Sequence, residues 1–454
     1  MQFGTDGIRG RANTELTCEF ALKFGRAVAA NFNQSPILVG RDNRISSDML
    51  FSAVAAGLCS NGSTVIDLGV VPTPAVAYLA SQLSLPAIVI SASHNPFYDN
   101  GFKVIGADGI KADQRVEQRI QELIDDEVSY SEDNDSHFEV GKIEDGIDQI
   151  SIWEFMLYTR IGTSTDTYSK DFTVIVDCAN GATSGFAPKI LEKLPIKVVP
   201  IFTEQNGYSI NAGCGATDTK ALAKAVIETK SDLGIAFDGD GDRIVLVDEN
   251  GVTIDGDHIL ALYANALTES DSLKNNGVVV TSMTNLGFNL AMADMGVEVK
   301  RCDVGDRNVV ETMVLNDYIL GGEQSGHIIR KDITCTGDGI LNAILILNIL
   351  KASNEKPSEI FTQLMQTFPQ KLLNIRLTDN QYLKAHEIVT DGDLNKLVDS
   401  ITETEAGAFR AVIRPSGTEK LLRIMVEAKS DELVETYLAK IGDKVASIME
   451  NIGN

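Results

Sequence analysis

The sequence predicts an α/β protein of several domains, and three observations carry that expectation. Strand-like apolar runs alternate with amphipathic helical segments along the whole chain. At 454 residues the chain is too long for one core, and length alone suggests about three domains. Hydrophobic residues make up 44% and charged residues 23%, the balance of a globular protein rather than a disordered or fibrous one.

Taken in order, residues 17–32 place Phe20, Phe24, Ala27 and Val28 at helical spacing. Residues 36–40 read as a short strand breaking into the polar turn Arg41-Asp42-Asn43-Arg44, and further strands are expected at 64–67 and 87–90. An acidic, irregular stretch over 125–148 marks the end of a first domain. A helix over 150–161 opens the second, with a strand at 172–177 and two more flanking residues 238–243. The third begins near Gly251 and contains a strand at 277–281. Beyond Pro369 a smaller α+β unit ends in a helix with Val434, Leu438, Ile441, Val445 and Ile448 along one face. The pattern therefore divides the chain into 1–150, 151–250, 251–368 and 369–454. No internal repeat can be demonstrated from the sequence.

A net charge of −25 argues against a nucleic-acid partner, which needs a basic face. It leaves room for an anionic small substrate, because a few local arginines outweigh a distant acidic surface. The apolar runs are too short for a membrane span and the first residues do not resemble a leader, so a cytoplasmic protein with no membrane partner is expected. Cys18, Cys59, Cys178, Cys214, Cys302 and Cys335 form no CxxC pair, which favours reduced, buried thiols over disulfides or zinc.

The most informative stretch is Ser91-Ala92-Ser93-His94-Asn95-Pro96, running on to Lys103, at the end of the apolar run 87–90. It sets a hydroxyl nucleophile near two proton-transfer groups, His94 and Lys103, where α/β proteins often place reactive residues. A polar turn in which Ser91 or Ser93 caps a helix is the plainer alternative. Asp238-Gly239-Asp240-Gly241-Asp242-Arg243 presents three carboxylates separated by glycines, a set of oxygen donors suited to one hard cation, Mg²⁺ above all. An EF-hand is disfavoured, since Arg243 stands where its sharp turn needs glycine and strands, not helices, flank the loop. Glu323 and Ser325, in Gly322-Glu323-Gln324-Ser325-Gly326-His327, suit sugar hydroxyls or an amino group; a solvated turn is the alternative. Arg414, Ser416, Gly417, Thr418 and Arg423 have the composition of a phosphate-binding loop. Phe3 to Gly10, with Arg9, is similar in kind, with a structural ion pair at Arg9 as its alternative.

These five segments, in this order, resemble the α-D-phosphohexomutase superfamily nearly end to end. Finer features (Gly322 to His327, Cys214 to Asp218, Val304 to Arg307, and Ser91 with Ser93) resemble its bacterial branch acting on glucosamine phosphates. The resemblance implies four domains round a central cleft, three alike in α/β topology and a smaller last one that binds phosphate. It implies a phosphoryl group carried on Ser93, required for activity, and one Mg²⁺ per subunit held by Asp238, Asp240 and Asp242 with Ser93. It makes Glu323 and Ser325 the sugar-recognition pair, and Arg414, Ser416, Gly417, Thr418 and Arg423 the clamp for the non-reacting phosphate. Arg243, Lys103, Arg9, His94 and His327 would support transfer, with Lys103 or His327 as the base.

The implied reaction interconverts glucosamine 6-phosphate and glucosamine 1-phosphate through a 1,6-bisphosphate, supplying UDP-N-acetylglucosamine and cell-wall precursor synthesis. The phosphosugar would be the main partner, an activating kinase or autophosphorylation would charge Ser93, and the chain would be a monomer or homodimer. A mutase for glucose or mannose phosphates, and a non-catalytic sugar-phosphate-binding protein, are the rival expectations.

Overall fold

The computed structural model describes residues 1–4, 6–126, 140–161, 172–353, 355–405, 407–416 and 420–452. The chain forms two compact units. One comprises Met1–Thr281 with Glu298–Gln363, the other Ser282–Val297 with Leu364–Asn454.

The first unit carries three sheets. In the first, strands β1 (Ile8–Arg11), β2 (Ile37–Arg41), β3 (Val65–Val70), β4 (Ala87–Ile90), β5 (Asp99–Ile105) and β6 (Ile143–Asp145) lie in the order β1-β5-β4-β2-β3-β6. The second orders β7 (Thr173–Asp177), β8 (Lys197–Ile201), β9 (Leu233–Phe237), β10 (Ile244–Asp248) and β11 (Thr253–Ile254) as β11-β10-β9-β7-β8. The third orders β12 (Gly277–Thr281), β13 (Glu298–Cys302), β14 (Leu320–Gly322) and β15 (Ile328–Arg330) as β13-β12-β14-β15.

A shared plan emerges from the pairing. In each sheet a parallel centre ends in a strand that turns back antiparallel: β4 into β5, β9 into β10, β14 into β15. The three reversals are the serine loop, the aspartate loop and the Glu323 loop. The repetition is one of topology, carried by backbone pairing between strands far apart in sequence. Side-chain identity does not repeat with it, so it was invisible as a sequence repeat.

The expected elements form with small shifts at their ends. The first helix runs Cys18–Asn31, and Thr17 Oγ1 caps it by accepting from the Phe20 N–H at 3.2 Å. Phe24, Ala27 and Val28 are buried, and Phe24 stacks on Phe102 of β5 with ring centroids 4.6 Å apart. Strand β4 is buried along its full length, as suits a strand flanked on both edges and covered on both faces. Cys178 and Cys214 are buried and the other four cysteines half-buried, all as free thiols.

The second unit is built on an antiparallel sheet of β16 (Gln370–Arg376), β17 (Phe409–Pro415) and β18 (Leu421–Ala428), ordered β16-β18-β17. The helix Asp431–Ile452 buries Val434, Ile441, Val445 and Ile448 against Ile424 and Val426 of the sheet, with Leu438 at the edge of the cluster. The helix Leu286–Asp294 also belongs to this unit, tied by Asn285, which exchanges hydrogen bonds of 3.0 Å with the backbone of Phe368. No helix among the described residues is long and apolar enough to cross a membrane.

Candidate active site

Ser93 sits where β4 leaves the sheet, 1% exposed and with φ of 50°. A non-glycine residue in this left-handed region is strained and persists only when its surroundings hold it. Here the holding is dense. The Ser93 N–H donates to Ser91 Oγ at 2.9 Å, and Ser91 Oγ donates to Asp42 Oδ2 at 2.6 Å. The Ser93 carbonyl accepts from Arg44 Nη2 at 2.8 Å and from Asn211 Nδ2 at 2.9 Å. Arg44 also donates to the carbonyls of Asn95, Pro96 and Asp99 and pairs with Asp42 at 2.8 Å, both side chains fully buried.

The turn Arg41–Arg44 is legible as a polar break after a strand, but its grip on a loop fifty residues away is not. Replacing Arg44 by leucine would leave Asp42 buried without its countercharge and four carbonyls short of a donor. An Arg44→Leu variant is therefore expected to lose about 3–5 kcal/mol of stability in chemical denaturation. A loss below about 1 kcal/mol, the net worth of one ordinary hydrogen bond, would show that Arg44 does not fasten the loop.

The aspartate loop meets the serine loop directly. Ser93 Oγ donates to Asp238 Oδ2 at 2.6 Å and lies 3.3 Å from His94 Nδ1. The hydroxyl has one proton, and the shorter contact to a carboxylate claims it. A Cβ on Gly239 would stand 2.7 Å from the Ser93 carbonyl oxygen, so only glycine permits this approach of the two backbones. Thr73 Oγ1 and Lys103 Nζ each donate to Asp240 Oδ2 at 2.7 Å, and Lys103 Nζ lies 3.5 Å from Asp242 Oδ2.

Asp238, Asp240 and Asp242 are all buried, with one ligand atom from each lying within 4.8 Å of the others. Asp240 Oδ1 and Asp242 Oδ1 are buried with no hydrogen-bond partner. Orphaned carboxylate oxygens around an all-oxygen donor set fit a hard divalent cation. Electrostatics agree. Burial, then Asp242 and Asp240, hold the Asp238 carboxyl well above the usual range. Burial also opposes charge on Asp240 and Asp242, but Lys103 outweighs it at both, helped at Asp242 by His327 and Arg243, and both lie low. Lys103 is raised in turn, since Asp240 and Asp242 overcome its burial.

His94 is drawn down to about 4 by burial and by the nearby Arg243 and Arg9, so its ring is neutral at pH 7. At His327 two influences oppose each other. Burial disfavours its charge, yet Asp242 raises it to about 9. The Gly337 N–H, however, donates to Nε2 at 3.2 Å, which requires a lone pair there. The directional hydrogen bond decides for the neutral ring, with its proton on Nδ1, 3.7 Å from Asp242 Oδ1.

The remaining expected residues fall into place less evenly. Arg243 N–H donates to Asp238 Oδ1 at 3.2 Å, and its Nε lies 3.9 Å from Asp242 Oδ1. Arg9 reaches Asn95 Oδ1 at 3.5 Å and Asp6 Oδ2 at 3.4 Å. Glu323 is 9% exposed, not a solvated turn residue, and its Oε1 accepts from the Gly305 N–H at 3.0 Å. Ser325 is exposed. In the second unit Arg414 and Arg423 are direct partners across β17 and β18 and line one cavity of about 220 Å³, while Ser416 is buried. Gly417 and Thr418 lie outside the described residues. Sequence reasoning missed Asp42, Arg44, Thr73 and Asn211, whose only signal was a polar type at the end of a buried strand, at the first turn of a helix or on a loop.

Models of the phosphoglucomutase/phosphomannomutase family match the chain in four consecutive parts. Alpha/beta/alpha domains I, II and III match residues 1–131, 156–251 and 255–368, and the C-terminal domain matches 372–444. Among curated relatives, a phosphoglucosamine mutase of Shouchella clausii is 44% identical over 98% of both chains. One of Carboxydothermus hydrogenoformans is 42% identical over 99% of both. A phosphoglucomutase/phosphomannomutase family protein from Burkholderia thailandensis shares the fold with a TM-score of 0.77 at 24% identity, over 99% of this chain and 97% of that one. An N-acetylphosphoglucosamine mutase of Aspergillus fumigatus, solved with GlcNAc-6P and magnesium, gives 0.69 at 15% identity over 99% and 96%. By domain order, identity and fold, the chain belongs to the phosphoglucomutase/phosphomannomutase family of phosphohexomutases, on the branch of the phosphoglucosamine mutases.

Proposed function

We propose that this protein interconverts glucosamine 6-phosphate and glucosamine 1-phosphate through a phosphoserine at Ser93. One observation carries the proposal: a strained, buried serine whose Oγ lies 2.6 Å from a buried triad of aspartates. Its relatives of the same length bear the corresponding name.

In the first half-reaction the Ser93 Oγ–P bond breaks and a bond forms from phosphorus to the C1 oxygen of glucosamine 6-phosphate. The hydroxyl proton leaves to a base, and glucosamine 1,6-bisphosphate results. The sugar turns over, Ser93 Oγ takes the phosphoryl from the C6 oxygen, and that oxygen recovers a proton. Lys103 and His327 are the two candidates for the base, while neutral His94 faces the nucleophile. Lys103, held charged by Asp240 and Asp242, would serve only after giving up its proton, and His327 would accept on Nε2 by releasing the Gly337 N–H. Asp238, Asp240 and Asp242, with Ser93, would hold one Mg²⁺, which when bound neutralises charge on the transferring phosphoryl oxygens. Arg243 and Lys103 add positive charge beside them.

Glu323 and Ser325 would bind the sugar, and Arg414, Ser416, Gly417, Thr418 and Arg423 the phosphate that is not reacting. The division into 1–150, 151–250, 251–368 and 369–454 assigns one of these loops to each domain. A kinase or autophosphorylation would first charge Ser93, in a monomer or homodimer of the cytoplasm.

The test is a comparison of kcat/KM for glucosamine, glucose and mannose 6-phosphates, with Mg²⁺ and a trace of the matching 1,6-bisphosphate. Glucosamine 6-phosphate is expected to lead by at least about tenfold, since a site built to pair an amino group rejects analogues lacking it. A preference for glucose or mannose would move the protein to the neighbouring mutases.

A further inference from the structure

A line of charged contacts outside the aspartate triad runs from the serine loop towards the Glu323 loop of the first unit. Arg307 Nη2 lies 2.6 Å from Glu117 Oε1 and donates to the Ala112 carbonyl at 2.8 Å. Glu117 is only 6% exposed, so this pair is largely withdrawn from water. Next to it, Lys111 Nζ lies 3.3 Å from Asp306 Oδ1 and 3.2 Å from Asp6 Oδ1. Asp6 in turn meets Arg9, and Arg9 reaches Asn95 in the serine loop.

At the other end stands Gly305, immediately before Asp306 and Arg307. Its φ of 126° is open to glycine and strained for other residues. Its N–H donates to Glu323 Oε1 at 3.0 Å. A carboxylate held by one backbone amide is only as well placed as that amide. The amide here belongs to the residue that caps the helix Asp306–Asn316, whose first two side chains are anchored on a different part of the unit.

We propose that Asp306 and Arg307 are positioning residues for sugar binding: seated on Lys111 and Glu117, they aim the Gly305 N–H and so fix the Glu323 carboxylate. The proposal rests on Glu323 being a sugar-binding group. Neither residue takes part in phosphoryl transfer. Both contacts leave one nitrogen, Nη2, whose two N–H directions are fixed in the guanidinium plane, whereas an ammonium on a flexible, shorter stem rotates freely and holds the pair less firmly. A binding group released from its support loses geometry before it loses chemistry.

The experiment is a double-mutant cycle with Arg307→Lys, Glu323→Gln and the pair, read by steady-state kinetics on glucosamine 6-phosphate. Intact mass of the Ser93 phosphoryl form and melting temperature are measured alongside. Arg307→Lys is expected to raise KM about tenfold, with kcat within about threefold and Ser93 still phosphorylated. Glu323→Gln should raise KM further, and the pair should be no worse than Glu323→Gln alone, because both changes remove one function. Multiplying effects in the pair, or an unchanged KM in Arg307→Lys, would overturn the proposal. Should Arg307→Lys fail to fold, Glu117→Gln takes its place in the same cycle. A normal KM in Glu323→Gln would remove the basis in Glu323, and the proposal with it. A parent active only on glucose or mannose phosphates would overturn the substrate assignment alone, and the cycle run on that sugar would still decide the role of Arg307.

Discussion

Ser93→Ala is expected to abolish turnover, with kcat falling at least about 10⁴-fold, because a covalent route without its nucleophile retains only binding and electrostatic assistance. The same variant should take up no phosphoryl group from glucosamine 1,6-bisphosphate, where the parent takes up one, seen by intact mass. Ser91, two residues away, does not stand in reserve. Ser91 is fully buried, and its Oγ already donates to Asp42 at 2.6 Å while accepting the Ser93 N–H at 2.9 Å. Ser91 holds the loop that presents Ser93, and phosphorylating it would break both bonds. Parent-like phosphorylation of the alanine variant, or turnover above about one per cent, would show that the phosphoryl carrier lies elsewhere.

The chemistry of the first unit was legible because each reactive set is local. Ser93 with His94, the alternating aspartates 238, 240 and 242, and Glu323 with Ser325 each fit within a single loop of a few residues, flanked by strands short enough to read as apolar runs. What joins those loops was not legible. The contact of Ser93 Oγ with Asp238 spans 145 residues, and that of Lys103 with Asp240 spans 137. Arg44 shows the limit most clearly: buried arginines are rare, and nothing in an Arg-Asp-Asn-Arg turn says that its guanidinium will collect carbonyls from residues 93 to 99. The threefold reversal of strand direction is likewise a property of pairing. So too is the helix Leu286–Asp294, which packs in the second unit although the strand before it lies in the first.

Asp238→Asn is expected to separate stability from activity. Without a divalent cation, Asp238 is a buried carboxyl beside two others, and its affinity for a proton is raised above the unfolded value. A group raised on folding destabilises the folded state when ionised. That cost is fully present above the folded pKa and disappears as the pH falls to the unfolded value of about 3.9. The amide is nearly isosteric, carries no charge and can still accept the Ser93 hydroxyl proton, at the cost of the weaker 3.2 Å bond that the second carboxylate oxygen accepts from the Arg243 N–H. In chelator at pH 7 to 8 the variant should therefore melt above the parent, and the gap should close as the pH is lowered towards 4. Adding Mg²⁺ should reverse the order. The parent gains about 2.7 kcal/mol at a hundredfold excess over its dissociation constant, whereas a variant lacking one anionic ligand gains much less. Turnover should fall by about 10³-fold, corresponding to about 4 kcal/mol of transition-state stabilisation. A chelated variant that melts below the chelated parent at every pH would mean that the charge of Asp238 is already satisfied, and Mg²⁺ stabilising the variant as much as the parent would sink the case for a cation site built from these three carboxylates.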